Sequence, residues 1–181
     1  MIDAYLNQEA DLLARLPRQP LSRLAAILRQ ARKDGQRIFV FGNGGSGANA
    51  SHFTVDMIKG TLDATKPRFK VICLNDNMPT LTALANDMGY EHIFSEPLAS
   101  LAEPGDVALA ITGSGDSPNI LRAMQTARAR RLTTVALTGA SGGKVKELVD
   151  LAILVPSPSM QLVEDAHRVI LHAVFAELCE T

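Results

Sequence analysis

Five short runs of apolar residues recur along the chain, and longer segments with helical spacing of apolar residues separate them. The runs lie at 38–42, 69–74, 106–112, 133–139 and 151–156. Each run is almost continuously apolar, which is typical of a parallel strand whose two faces are both covered. The pattern therefore predicts five buried strands in one parallel sheet.

Helical periodicity predicts helices before, between and after these strands. Two of them precede the first strand, at about residues 3–16 and 20–34. Ser117, Ser141 and Ser159 each stand where a serine commonly caps a helix N-terminus. Strands that alternate with helices indicate an α/β fold, a three-layer αβα sandwich with right-handed crossovers and an N-terminal helical extension.

The composition excludes several classes of function. Acidic and basic residues nearly cancel, giving a net charge of −1, and only 4% of the residues are aromatic. We therefore expect neither a nucleic-acid partner nor a membrane partner. No apolar run approaches the roughly 20 residues that a membrane-spanning helix needs. The acidic start of the chain also lacks the basic region of a signal peptide.

Length and cysteine usage predict one cytoplasmic domain. The 181 residues suffice for a single core, divided into N-terminal helices at 1–35 and an α/β core at 36–181. Cys73 and Cys179 are far apart in the sequence and are expected to be reduced thiols.

Two predicted strands end in turns that are rich in glycine and small polar side chains. The first turn is Gly42–Ser46, and the second is Thr112–Ser117. Glycine lets backbone N–H groups approach a ligand, hydroxyls add neutral donors, and the following helix offers its positive end. Since ligands of open parallel sheets bind beyond the carboxyl ends of the strands, the pair suits a phosphate. Two ordinary capping turns are the alternative.

Neither turn has the sequence of a nucleotide-binding loop. The Gly-Lys-Ser/Thr of a Walker loop is missing, and the glycine spacing departs from the G-x-G-x-x-G of dinucleotide-binding folds. We therefore expect no nucleotide cofactor.

Histidines and carboxylates are the candidate chemical groups. His52 and Asp56 are four residues apart in a predicted helix, so they lie on one face, about 40° apart. In isolation such a pair is commonly a surface contact. Glu164, His167 and His172 lie among apolar residues of the last helix, where a histidine is most often a packed structural residue.

The stretches GNGGSGANASHF and ITGSGDSPNIL resemble the sugar isomerase (SIS) domain family, in its phosphoheptose isomerase branch. LTALANDMGYEHIFSEPL, TVALTGASGGK and the late HRVILH match it as well, in the same order. The resemblance implies a single SIS domain with an aldose–ketose isomerase activity. Sedoheptulose 7-phosphate is the expected substrate. It also implies a homotetramer in which the helices of 1–35 join subunits and the active sites lie at interfaces.

The resemblance implies which residues bind the sugar phosphate. They belong to the two turns and to the segment after the second strand: Asn43, Gly44, Gly45, Ser46, Asp87, Thr112, Gly113, Ser114 and Ser117. Two residues of the second turn depart from the family pattern. Gly113 removes a hydroxyl, and Asp116 adds a negative charge, which we expect to cap a helix and not to contact phosphate.

The resemblance also assigns catalytic roles. Family members have His and Glu at the positions of His52 and Asp56, and Gln and His at those of Glu164 and His172. It implies that Asp56 is the base, that His172 is the acid, and that the four groups together hold one zinc ion.

The spacing on the last helix limits this metal site. Glu164 and His172 are eight residues apart, about 12 Å along a helix, so a shared ion would draw them from different copies of the chain. The shorter Asp56 and the charged Glu164 leave an alternative: a non-catalytic sugar-phosphate-binding regulator or tetrameric scaffold.

Overall fold

A computed structural model describes residues 1–180 and contains one five-stranded parallel sheet. The strand order is β2-β1-β3-β4-β5, and every neighbouring pair is parallel. The strands are β1 (Arg37–Gly42), β2 (Lys70–Cys73), β3 (Val107–Thr112), β4 (Thr133–Thr138) and β5 (Leu151–Leu154). All five strands predicted from the apolar runs are present, and the α/β prediction is confirmed.

Seven α-helices accompany the sheet. They are α1 (Ile2–Ala14), α2 (Arg18–Asp34), α3 (Gly44–Val55), α4 (Met78–Asp87), α5 (Ser95–Leu101), α6 (Pro118–Ala129) and α7 (Met160–Glu180). A π-helical turn, Asp56–Gly60, continues α3 directly, and 3₁₀ turns cover Tyr90–His92 and Lys144–Glu147. None of the helices within residues 1–180 has the length and apolarity that a bilayer crossing requires.

The sheet separates two apolar layers. Ile38 and Val40 of β1 pack against α1, α2, α3 and α7, whereas Phe39 and Phe41 pack against α5 and α6 on the other face. Consecutive residues of a strand point to opposite faces, so a strand covered on both sides must be apolar throughout. This explains why the strand runs show no alternation, and it confirms the three-layer arrangement.

Two of the three predicted helix starts are confirmed, and the third is wrong. Helix α6 begins directly after Ser117, and α7 begins directly after Ser159. No α-helix begins at Ser141. Gly142 and Gly143 come next with φ angles of +73° and +52°, so the backbone leaves the helical region and only a short 3₁₀ turn follows.

The two glycine turns lie side by side at one edge of the sheet. β1 and β3 are hydrogen-bonded neighbours, and Gly42 at the end of β1 pairs with Ile111 near the end of β3. Because the strands are parallel, both turns project beyond the same edge and lead into the N-termini of α3 and α6. This edge is where a ligand of an open parallel sheet is expected.

Candidate active site

The first glycine turn is tied to the start of α6, directly after the second turn, by two side-chain amides, of which one is half-buried and the other buried. Asn43 donates from Nδ2 to Asn119 Oδ1 at 3.0 Å, and Asn119 donates back to Asn43 Oδ1 at 2.7 Å. Tyr90 donates its hydroxyl to the same Asn43 oxygen at 3.1 Å. Asn43 is the N-cap residue of α3, but its side chain makes no bond to that helix. Its side chain therefore joins the two turns.

The first turn faces a carboxylate of the protein itself. A Cβ placed on Gly45 would lie 2.9 Å from Oε2 and 3.1 Å from Oε1 of Glu164. A negative group is favourable at this place, because the N-terminus of α3 carries partial positive charge. The hydroxyl-bearing residue of this turn, Ser46, is only 4% exposed. The first turn thus already has an anion beside it.

The second turn offers hydroxyls without such a carboxylate. Thr112 accepts a hydrogen bond from Gly115 N at 3.2 Å, which fixes the turn. Ser114 is exposed, and Ser117 at the N-cap of α6 makes no bond to that helix through its side chain. Asp116 accepts from Lys144 N at 2.9 Å, so its carboxylate caps the 3₁₀ turn, as expected from the sequence.

A cavity of about 260 Å³ adjoins the second turn. Its lining includes Gly113, Gly139 and Met160. The Met160 side chain occupies the space that a side chain at position 113 would need. Position 113 lacks the hydroxyl of the family pattern, and the space that this side chain would fill is occupied by Met160 of α7.

Asp87 was predicted to contact the substrate from the segment after β2. In the structure its carboxylate bonds to the neighbouring residue in the sequence. Asp87 ends α4, and its Oδ1 accepts from Asn86 Nδ2 at 2.7 Å. Tyr90, three residues later, is the residue of this segment that reaches the first turn. Tyr90 and Asn119 were not predicted from the sequence, because both act through a partner that is distant in the chain.

Three of the four predicted catalytic or metal-binding groups meet on α3 and α7. The His52 Nε2 and His172 Nε2 atoms are 3.0 Å apart. Asp56 Oδ2 lies 3.3 Å from the first and 3.4 Å from the second. Asp56 begins the π-helical turn, and its Oδ2 is buried without a hydrogen-bond partner in residues 1–180. The carboxylate oxygen and the two imidazole nitrogens therefore form a triangle with nearly equal sides.

This donor set fits a zinc ion. Zinc prefers imidazole nitrogen and carboxylate oxygen, and tetrahedral coordination at 2.0–2.1 Å separates ligand atoms by about 3.3 Å. The observed separations among His52, Asp56 and His172 are 3.0–3.4 Å. Glu164 does not belong to this cluster within one protomer. A tetrahedral ion would thus have one position beyond these three residues.

A polar strip runs between the first turn and this cluster. Helices α3 and α7 lie side by side, so Asn49 donates to the Glu164 carbonyl at 3.2 Å and Arg168 donates to Asn49 Oδ1 at 2.8 Å. Glu164 and Arg168 are four residues apart, a spacing that favours an ion pair. Instead, both side chains turn onto α3. Arg168 was not predicted from the sequence, although it is four residues from both Glu164 and His172.

His167 is a core residue, in agreement with its interpretation from sequence. It is fully buried, and burial lowers its pKa to about 4, so the imidazole is neutral.

Comparisons with known proteins agree with this architecture. The family model of the SIS domain matches residues 4–139. A phosphoheptose isomerase of Bradyrhizobium is 38% identical over 88% of this chain and 78% of its own length. That of Aquifex aeolicus is 38% identical over 90% and 84%. A solved phosphoheptose isomerase structure from Francisella tularensis superposes with a TM-score of 0.93 at 30% identity, covering 99% of this chain and 97% of that one.

Proposed function

The chain belongs to the SIS domain family, in its phosphoheptose isomerase branch, and from that premise we propose that it isomerises sedoheptulose 7-phosphate to a heptose 7-phosphate. The observation that carries the proposal is the Asp56 carboxylate held between His52 and His172. A half-buried carboxylate with its Oδ2 shielded beside two imidazoles is a base with proton carriers next to it, which aldose–ketose isomerisation requires.

The phosphate of the substrate binds the second turn. Ser114 and Ser117 present hydroxyls there, and the α6 N-terminus adds its partial positive charge. The first turn is less suitable, because Glu164 would repel a phosphate dianion at Gly45. Gly44, Gly45 and Ser46 of this turn then contact neutral sugar hydroxyls, for which a carboxylate is a good acceptor.

Two residues of the cluster perform the proton transfers. Asp56 removes a proton from the carbon next to the carbonyl group, and the electron pair forms an enediol. His172 delivers a proton to the carbonyl oxygen and later takes one from the neighbouring hydroxyl, while Asp56 returns its proton to the other carbon. A zinc ion held by His52, Asp56 and His172 would polarise the carbonyl group, and it would do so in place of proton transfer at His172 Nε2, because a metal-bound imidazole nitrogen carries no proton.

A second copy of the chain completes the site. Within one protomer, the start of α3 at Gly44 and His52 are eight residues apart, about 12 Å along the helix. Exposed apolar Val55 and Ile58 flank the cluster, and exposed Ile2 lies on α1. We expect these faces to be buried in a homotetramer, where Glu164 of another copy would provide the missing fourth group. Free thiols at Cys73 and Cys179 suit a cytoplasmic location.

Replacement of the base tests this function. Asp56→Asn keeps the shape of the side chain but removes its basicity, and we expect turnover of sedoheptulose 7-phosphate to fall by at least ~100-fold. Asp165→Asn, an acid on α7 that binds the Tyr5 hydroxyl at 2.6 Å, is the control and should retain turnover. Formation of the aldose phosphate is measured with and without added zinc. Stabilisation by the sugar phosphate without conversion in the wild type would instead support a regulator.

A further inference from the structure

A second cavity lies at the opposite edge of the sheet from the glycine turns. It has a volume of about 210 Å³ and sits near the ends of α2 and α7 and the loop that enters β2. Its lining residues are Arg29, Arg32, Lys33, Lys66, Pro67, Phe69 and Leu178. Because β1 and β2 start at this edge, the cavity is separate from the proposed sugar-phosphate site.

The lining of this cavity is strongly basic. Four of its seven residues are cationic, and no acidic residue in the described part of the chain lines it. Two of the cations already have carboxylate partners, since Arg29 pairs with Glu177 at 3.0 Å and Lys66 lies 3.5 Å from Asp63. Arg32 has no carboxylate within ion-pair distance among residues 1–180, and neither has Lys33. An excess of positive charge therefore faces the cavity.

Arg32 is held rigidly in place. Its side chain is 7% exposed, and its guanidinium lies 4.7 Å from the centre of the Phe69 ring. Nε donates to the carbonyl of Pro67 at 2.7 Å, and Nη2 donates to the carbonyl of Thr61 at 3.4 Å. A buried guanidinium that has only carbonyl and aromatic partners is costly to desolvate, and an anion beside it offsets that cost.

We propose that this cavity binds a small phosphate-bearing anion. One fixed guanidinium, with further cations around the same space, suits a multiply charged oxyanion better than a single carboxylate. The volume is below the 300–1,000 Å³ of typical pockets for larger ligands, so the ligand is a diphosphate or a small phosphate ester. Pro67, Phe69 and Leu178 offer apolar contacts to its carbon portion.

The cavity also contacts the segment that carries Asp56. Arg32 holds the carbonyl of Thr61, the residue that directly follows the π-helical turn Asp56–Gly60. Cys179, next to the cavity residue Leu178, donates to the carbonyl of Gly60 at 3.6 Å. A ligand in the cavity would thus touch Arg32, which holds the end of this turn, and Leu178, the neighbour of Cys179 in α7.

Diphosphate binding in solution tests the proposal. The double variant Lys33→Ala/Lys66→Ala removes two exposed or half-buried cations of the cavity and leaves Arg32 intact. We expect calorimetry to show diphosphate affinity at least tenfold weaker than in the wild type, as two charged hydrogen bonds are lost. The control Arg122→Ala/Arg128→Ala removes two exposed charges from α6 and should change the affinity less than twofold. Equal losses in both double variants would overturn the proposal.

The location of the anion is tested in crystals. Selenate is a tetrahedral dianion that anomalous scattering locates, and soaked wild-type crystals should show selenium beside Arg32. The peak should be absent in Lys33→Ala/Lys66→Ala and present in the control. A cavity without selenium in the wild type would overturn the proposal. Selenium at Ser114 and Ser117 reports separately on the sugar-phosphate site, so failure of one site is distinguishable from failure of the other.

Discussion

The two glycine turns have similar sequences and occupy equivalent places, yet they differ in what surrounds them. The first turn lies beside the carboxylate of Glu164, and its hydroxyl at Ser46 is buried. The second turn exposes Ser114, and its own acid, Asp116, bonds to Lys144 N away from the turn. The difference comes from α7 and from the loop after β4, not from the turns. Local sequence therefore creates two possible anion sites, and distant residues decide which one takes the phosphate.

Removal of the hydroxyls from the second turn is expected to have the largest effect. Ser114→Ala/Ser117→Ala deletes two donors to a charged group, which should raise KM for the sugar phosphate on the order of 100-fold. Ser46→Ala in the first turn is the matched control, with an expected change below tenfold. Steady-state kinetics of both variants decide the matter. A larger effect of Ser46→Ala would reverse the assignment of the two turns.

The core beneath the last helix gives a pH-dependent prediction. Burial lowers the pKa of His167 from 6.5 to about 4, so below pH 6.5 the unfolded chain binds a proton that the folded chain does not. The contribution of His167 to the free energy of unfolding is fully present well above pH 6.5 and decreases as the pH falls towards 4. We expect the free energy of unfolding to drop by about 1.5 kcal/mol from pH 6.5 to pH 5.

Urea unfolding at several pH values measures this slope. His167→Gln, whatever its absolute stability, should lose most of the slope, whereas the control His92→Gln should keep it. An unchanged slope in His167→Gln would show that His167 is not the group responsible.

The amide pair between the turns gives a prediction for stability. Asn119 is 1% exposed, and its removal leaves Asn43 Nδ2 without its acceptor and Asn43 Oδ1 with Tyr90 as its donor. We expect Asn119→Ala to lower the free energy of unfolding by about 2 kcal/mol, because a buried polar group loses its hydrogen bonds. Asn86→Ala, at the exposed end of α4, should change it by less than ~0.5 kcal/mol. Similar values for the two variants would mean that the amide pair does not join the turns energetically.

Removal of the carboxylate beside the first turn is expected to have the smallest effect. It tests whether this charge is what distinguishes the two glycine turns. Glu164→Gln removes the negative charge beside Gly45 while keeping the shape of the side chain. Inorganic phosphate should then inhibit roughly tenfold more strongly, because removing one negative charge beside a bound dianion relieves about 1–2 kcal/mol of repulsion at a solvated site. Asp165→Asn removes the same charge from the next position and should leave the inhibition constant within twofold. Equal changes in both variants would point to a general charge effect.

The sequence was a good guide to the strands and a partial guide to the helices. Apolar runs such as 106–112 predict a strand reliably, because a strand that is buried on both faces must have apolar side chains at nearly every position. The helix expected after Ser141 does not form, because Gly142 and Gly143 adopt positive φ angles. A serine at a capping position does not reveal such angles. Such backbone angles depend on neighbouring segments, here on the second glycine turn, which packs closely against both glycines.

The site was predictable only where its residues are close in sequence. His52 and Asp56 could be placed on one helix face from their spacing, and the structure brings them within 3.3 Å. Glu164 was expected to share a metal site with His172 only from another copy of the chain, and within one protomer it lies beside Gly45. Arg168 was missed altogether. The side-by-side packing of α3 and α7 determines both positions, and no local pattern encodes which residues of two helices face each other.

The most direct test of the account is a crystal structure of the Asp56→Asn variant soaked with sedoheptulose 7-phosphate, in which slow turnover preserves the substrate. We predict that the phosphate contacts the hydroxyls of Ser114 and Ser117 and that the carbonyl end reaches a His52–His172 pair. A phosphate bound at Gly45 beside Glu164, or a sugar whose carbonyl end points away from every such histidine pair, would contradict the account.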